Sequence, residues 1–233
     1  MLMIERYSIT LQPDSLAERF SVDVPDFYKP RYNAAPTQLL PVITSDSPKG
    51  VSLFYWGTSP EWSKNKTPGE KIINLTVESI EEKPALQRAI KKNRCLVPAD
   101  GFYVWRKVGK KTSIPYRFIS TQQEPFAFAG IWEEFEDTDG HQIQTFKLIT
   151  TPADQALASF TERRPVLLNS DQSLQWLGGA EDTDFLALLK TTSGIVLNNY
   201  PVSPGISNTN QDLASMIIPT PPADQHGNLT LFD

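Results

Sequence analysis

Reactive side chains are scarce in this 233-residue chain, which has one cysteine, Cys95, and two histidines, His141 and His226. One cysteine excludes an internal disulfide framework, and these three residues have no spacing that reads as a zinc site, so neither metal nor cofactor is expected. A lone thiol fits a reducing compartment, and the expected location is the cytoplasm. Long hydrophobic runs are missing as well. No stretch reaches the roughly 18 apolar residues of a membrane span, and Glu5 and Arg6 interrupt the start where a signal peptide needs an apolar run. No internal repeat is visible, and 19 prolines work against long elements. What remains is a composition of 39% apolar and 21% charged residues, which belongs to a globular protein able to bury a sizeable core.

Net charge is −5, which by itself argues against a polyanionic partner, yet the charge is unevenly spread. From Lys83 to Lys111 nine basic residues stand against one acid, Asp100, so this window carries +8 and the remainder −13. Such a block suits a phosphate-facing surface. It equally suits a solvated helix face and hairpin tip. Runs such as YSITL, QLLPVIT, VSLFYWG, RCLVP, FYVWRK, PYRFIS, FAFAGIWEEF, QTFKLITT and GIVLNN read as short strands. Asp139-Gly140 is a hairpin signal, with Val108-Gly109-Lys110-Lys111 as a second. Helices are expected at about 84–93, 152–161, 171–177 and 183–190. In the first, Ala85, Leu86, Ala89 and Ile90 form the inward stripe, with Arg88, Lys91 and Lys92 outside. The fold class is therefore α+β: a curled, mostly antiparallel, barrel-like mixed sheet with short peripheral helices. Residues 1–218 are expected to form one domain. Residues 219–233 (PTPPADQHGNLTLFD) read as an exposed tail.

The run RCLVPADGFYVW (94–105) is broken by PADG and carries two aromatics just beyond the break. Together with RYNAAPTQLLPV (31–42), FYWGTSPEW (54–62), IIN (72–74), VESIEEKPALQRAIKKN (77–93), PFAFAGIWE (125–133), LITTPAD (148–154), RRPVLL (163–168) and YPVSPGISN (200–208), it resembles the SOS-response-associated peptidase (SRAP) family of abasic-site processing proteins. The resemblance spans nearly the whole chain to about residue 218. It implies a compact α+β fold with a positively charged groove for single-stranded DNA and a site that captures an abasic sugar. In that family a cysteine exposed by removal of the initiator methionine traps the abasic aldehyde as a thiazolidine. A glutamate after the PADGFY turn, a histidine before the R-x-P-V segment and an asparagine before the basic helix assist.

Only the asparagine is present here, as Asn74. Aligning the family's Met-Cys-Gly-Arg opening on Met3-Ile4-Glu5-Arg6 puts Ile4 at the nucleophile; Val104 replaces the glutamate, Thr161 the histidine, and Thr76 a DNA-contacting arginine. Isoleucine and valine neither attack a carbonyl nor carry a titratable proton, and threonine has no useful basicity near neutral pH. A thiazolidine needs an amine and a thiol on adjacent carbons, and Cys95 is internal and reads as a small buried hydrophobe.

The resemblance also assigns binding positions. Arg6 and Arg163 match phosphate contacts, Trp56 an aromatic beside the flipped-out sugar, Asn33 and Pro36 the wall of the site, and Arg88 a helix arginine displaced by one place. Each has an alternative: Trp56 as core, Arg163 as a helix end balancing Glu162, Asn33 as a turn cap. In the tail, Leu229, Leu231 and Phe232 are similar to the sliding-clamp peptide of bacterial repair proteins, and also to a last strand folding back on the sheet. The expected function is binding of single-stranded, gapped or abasic-site DNA in damage processing, without the covalent crosslink. A residual lyase or peptidase and a clamp-associated interaction protein are the alternatives.

Overall fold

The computed structural model describes residues 4–57, 73–109, 112–136, 139–180, 182–224 and 226–229. Short β-branched and aromatic runs bounded by turn residues become strands, and prolines open two of the helices. In chain order the elements are β1 (Tyr7–Ile9), α1 (Pro13–Phe20), β2 (Arg31–Ala34), β3 (Leu39–Thr44), β4 (Ser52–Trp56), β5 (Asn74–Thr76), α2 (Val77–Glu82) and α3 (Pro84–Lys92). They continue with β6 (Arg94–Ala99), β7 (Gly101–Lys107), β8 (Ser113–Ser120), β9 (Phe126–Glu136), β10 (Gln142–Pro152), β11 (Arg163–Pro165), β12 (Leu167–Leu168), α4 (Ser170–Gly178), α5 (Phe185–Lys190) and β13 (Leu197–Pro201). Two 3-10 turns, Pro204–Ser207 and Ala214–Ile217, follow.

The strands form two sheets. One is antiparallel, ordered β13-β8-β7-β1-β2. In the other, β9 pairs with both β6 and β10, closing a ring through β10, β4, β3 and β6, while β5, β11 and β12 extend it. Among the described strand pairs, β10 with β4 and β10 with β5 are the parallel ones. This is the expected mixed, barrel-like α+β architecture. At Gly130 of β9, a Cβ would lie 2.9 Å from the sulfur of Cys95 on β6 and 3.1 Å from the Lys147 carbonyl on β10. The ring closes there only around a residue without a side chain. One continuous core, including Tyr7, Trp56, Phe128 and Phe146, fills the space between the sheets. A smaller cluster of Tyr103, Val202, Ile206 and Met216 lies apart from it.

The PADG turn is where the chain passes from one sheet to the other, since β6 ends at Ala99 and β7 begins at Gly101. Asp100, the single residue between them, organises its surroundings. It accepts hydrogen bonds from Ser8 Oγ (2.6 Å), Thr10 Oγ1 (2.7 Å), the Thr10 backbone N–H and Arg117 Nη2 (2.8 Å). Arg117 in turn donates to Tyr200 Oη (2.8 Å), which donates to the Ile217 carbonyl. Burial is the largest single influence on Arg117 and lowers its pKa, but Asp100, Tyr103 and Tyr200 together outweigh it and hold the pKa above its ordinary value. Gly101 is required because a Cβ would sit 2.7 Å from Arg117 Nε.

Several local expectations are corrected. Residues 152–161 form no helix: Pro152 still pairs with Arg163, so the chain between them must reverse direction and does so in successive turns. Helices α1 and α2 were not expected, although Pro13 and Asp14 open the first and Thr76 Oγ1 caps the second by accepting from Ser79 N at 3.0 Å. Ala85 is exposed rather than inward, and α3 buries only Ile90 fully. Of the nine basic residues from Lys83 to Lys111, Arg94 belongs to no surface: it is buried, donating to the carbonyls of Ile90, Lys91 and Trp176 and lying 3.9 Å from the Phe185 ring centre. The tail is not exposed from its start. Thr220 N donates to the Pro201 carbonyl, and Ala223 and Asp224 are buried. Lys110 and Lys111, in the second hairpin signal, lie outside the described residues; the flanking strands pair antiparallel, with Val108 N donating to Thr112 O.

Replacing Asp100 by Asn leaves the Arg117 guanidinium buried without its counter-ion. We expect a loss of about 3 kcal/mol in urea unfolding, the scale of a broken buried pair.

Candidate functional site

Ile4 is buried just before β1, and its carbonyl accepts a hydrogen bond from Asn74 Nδ2 at 2.9 Å. Asn74, the first residue of β5, is held opposite Leu148 of β10. Its buried Oδ1 has no hydrogen-bond partner among the described residues. Val104 is buried on β7 opposite Tyr116 of β8. The Tyr116 ring meets Phe160 edge-on at 5.0 Å, which brings Thr161 back beside this sheet. Thr161 is buried too, and its hydroxyl accepts from the backbone N–H of Arg163 at 3.4 Å. The structure thus joins Ile4 directly to Asn74, and Val104 to Thr161 through two aromatic rings.

Ile4, Asn74, Val104 and Thr161 offer no thiolate, imidazole or carboxylate for nucleophilic attack or proton transfer. Cys95 does not compensate, because it is fully buried and burial pushes its thiol pKa far up, away from the reactive thiolate.

The cationic positions differ in availability. Arg6 hands its backbone carbonyl to Tyr103 N, and burial lowers its pKa. Its Nη1 donates to the Glu5 carbonyl at 2.6 Å, while its buried Nε has no partner among the described residues. Arg88 is exposed on α3. Arg163 is already engaged: Nε donates to Thr150 Oγ1 (3.1 Å), Nη2 to the Thr150 carbonyl (2.7 Å), and both terminal nitrogens meet the Glu78 carboxylate (2.8 and 3.4 Å). The reading of Arg163 as a helix end is corrected, since it begins β11. Glu78 carried no sequence signal of this role, because 85 residues separate it from Arg163.

Two aromatic and polar positions are structural. Trp56 is fully buried, with Nε1 donating to the Ile73 carbonyl at 3.0 Å. Phe146 stacks on it (6.2 Å, planes 6° apart) and Tyr7 packs against it at 64° (5.3 Å), so no base reaches the indole, which corrects its assignment as a stacking platform. Asn33 is likewise buried; its Nδ2 donates to the carbonyls of Asn208 (3.0 Å) and Gln211 (2.8 Å), fastening the segment after the first 3-10 turn to β2. Asp212 reinforces this by accepting from the backbone N–H groups of Tyr32 and Asn33. Pro36 is half-buried in the turn from β2 to β3. Leu229 is 71% exposed; Leu231 and Phe232 lie outside the described residues.

A two-sheet α+β scaffold with an asparagine-held strand at its site defines a recognisable class, and sequence comparison agrees with it. The chain belongs to the SRAP (SOS response associated peptidase) family, whose model matches residues 3–209. It is 31% identical over 221 residues to the abasic site processing protein YoqW of Bacillus subtilis, covering 92% of this chain and 99% of that one. To the abasic site processing protein YedK of Escherichia coli it is 30% identical, covering 88% and 92%. A crystal structure of a Bacteroides thetaiotaomicron protein superposes with a TM-score of 0.75 at 22% identity over 92% of this chain and 99% of that chain, which shows the shared fold.

The Arg163 hydrogen bond is the main cause of a Glu78 pKa below the usual carboxylate value. The pair therefore contributes above the ordinary carboxylate pKa and is lost as pH falls through the lowered one. In an NMR titration, Arg163→Ala should return Glu78 towards ordinary carboxylate behaviour.

Proposed function

We propose that this chain serves abasic-site and DNA-damage processing as a non-covalent binder of single-stranded or gapped DNA. The observation that carries this reading is the buried Ile4, tied through its main chain to Asn74, at the position where family members place the reacting cysteine. An N-terminal cysteine closes a thiazolidine because its amine and thiol both add to one aldehyde carbon with loss of water. An isoleucine side chain has no atom able to make the second bond. Val104 at the glutamate position and Thr161 at the histidine position remove the proton carriers as well. What the scaffold retains is suited to holding a backbone: arginines at positions 6, 88 and 163, whose planar forks match phosphate oxygens. The proposed organisation is a domain over 1–218 acting in the cytoplasm, followed by the segment 219–233. The exposed Leu229 supports a second role for that segment as a peptide for a sliding clamp, with Leu231 and Phe232 as its apolar anchors.

Single-stranded DNA with and without one abasic site, mixed with the protein and run on native and denaturing gels, tests the main reading. The expected result is a shift on the native gel only. A band that survives denaturation, made permanent by borohydride, would reveal an imine between a protein amine and the abasic aldehyde and replace this reading with residual lyase chemistry. Loss of clamp binding on deleting residues 226–233 is the expected outcome for the tail, and unchanged affinity removes that role.

A further inference from the structure

Arg163 is fixed from two sides that differ in kind. On the inner side, the hydroxyl and carbonyl of Thr150 hold the guanidinium plane to β10. Its outer edge faces the Glu78 carboxylate of α2, with Nη2 to Oε2 at 2.8 Å and Nη1 to Oε1 at 3.4 Å. The side chains are unequally exposed, 13% for Arg163 and 48% for Glu78. The carboxylate can rehydrate by swinging outward, whereas the cation cannot leave Thr150 without losing its buried hydrogen bonds. An exposed pair of this kind is weak, yet a largely buried guanidinium is costly to leave without any anion.

We propose that Glu78 is a built-in competitor for backbone phosphate at Arg163, an inference that rests on the DNA-binding reading above. The two oxygens of Glu78 occupy the fork that two phosphodiester oxygens would take, and both groups carry one negative charge. Binding is then an exchange of one anion for another on a guanidinium that Thr150 keeps aimed. Such an exchange gains little charge energy from an isolated phosphate. It favours a chain of phosphates whose other contacts, at Arg6 and Arg88, hold the incoming oxygen at high local concentration. Glu78 is thereby a specificity-determining residue that closes Arg163 to free inorganic phosphate and leaves it open to a polynucleotide.

The test measures affinity for a short oligothymidylate, with inorganic phosphate as the comparison ligand. Glu78→Gln should tighten oligothymidylate binding about two- to fivefold, the factor for an exposed ion pair. Glu82→Gln, an identical charge change at an exposed position one helical turn along α2, should tighten it less. In an Arg163→Ala background the gain from Glu78→Gln should vanish. In the parent protein, oligothymidylate should move the Arg163 Nε–H resonance and return the Glu78 titration towards the ordinary carboxylate range, while inorganic phosphate leaves both unchanged. Equal effects of Glu78→Gln and Glu82→Gln, or an unmoved Arg163 resonance in a protein that does bind, would overturn the competitor role and leave the DNA-binding reading standing. No binding by the parent or either variant overturns the DNA-binding reading itself, and this inference with it.

Discussion

The ion pair between Asp100 and Arg117 fixes the relation between the two sheets. Asp100 is the sole residue between the last residue of β6, in the closed ring, and the first of β7, in the antiparallel sheet. Its carboxylate gathers β1 through Ser8, the residue after β1 through Thr10 and β8 through Arg117. Arg117 then passes the connection to β13 and the second 3-10 turn through Tyr200. A buried charge is tolerated only where its partners are complete, and here they are drawn from segments far apart in the chain, Ser8 and Thr10, Arg117, and Tyr200. That dependence also explains Gly101, whose missing side chain is the space the guanidinium fills.

The same turn positions the candidate site. β7 leads from Gly101 to Val104, and β1 runs alongside it with Arg6 O bonded to Tyr103 N. Ile4 lies just beyond, anchored by Asn74. The segment carrying Ile4 and Arg6 is thus tied to β5 through Asn74 and to β7 through Tyr103. The apolar and weakly polar side chains of Ile4, Val104 and Thr161 are all buried. Thr76 caps α2. That cap in turn sets the helix from which Glu78 reaches Arg163. The carboxylate on Arg163 lowers the standing positive potential around that guanidinium.

Much of this was legible in the chain itself. Alternating and β-branched runs located nine of the strands, because burial on one or both faces of a sheet leaves a pattern at short range. The ordered blocks around PADGFYVW, RYNAAP and RRPV carried the family and the fold class. Cys95 was correctly read as packing material, since neighbours such as Leu96 and Val97 already marked a buried strand.

The tertiary structure decided what depends on contacts distant in sequence. Nothing local distinguishes Trp56 as a core residue from Trp56 as a base-stacking surface until Phe146 and Tyr7 cover it. Arg94 belongs to a basic run by sequence and to the interior by structure, because the carbonyls that satisfy it come partly from α4. Residues 152–161 have the composition of a helix, but the pairing of Pro152 with Arg163 forces a reversal that a helix could not make. The carboxylate on Arg163 comes from 85 residues away. Periodicity and residue type report the environment of a strand or turn, because that environment repeats over a few residues. The partner of a charge or the cover of a ring is set by how the sheets close, and that is a property of the whole chain.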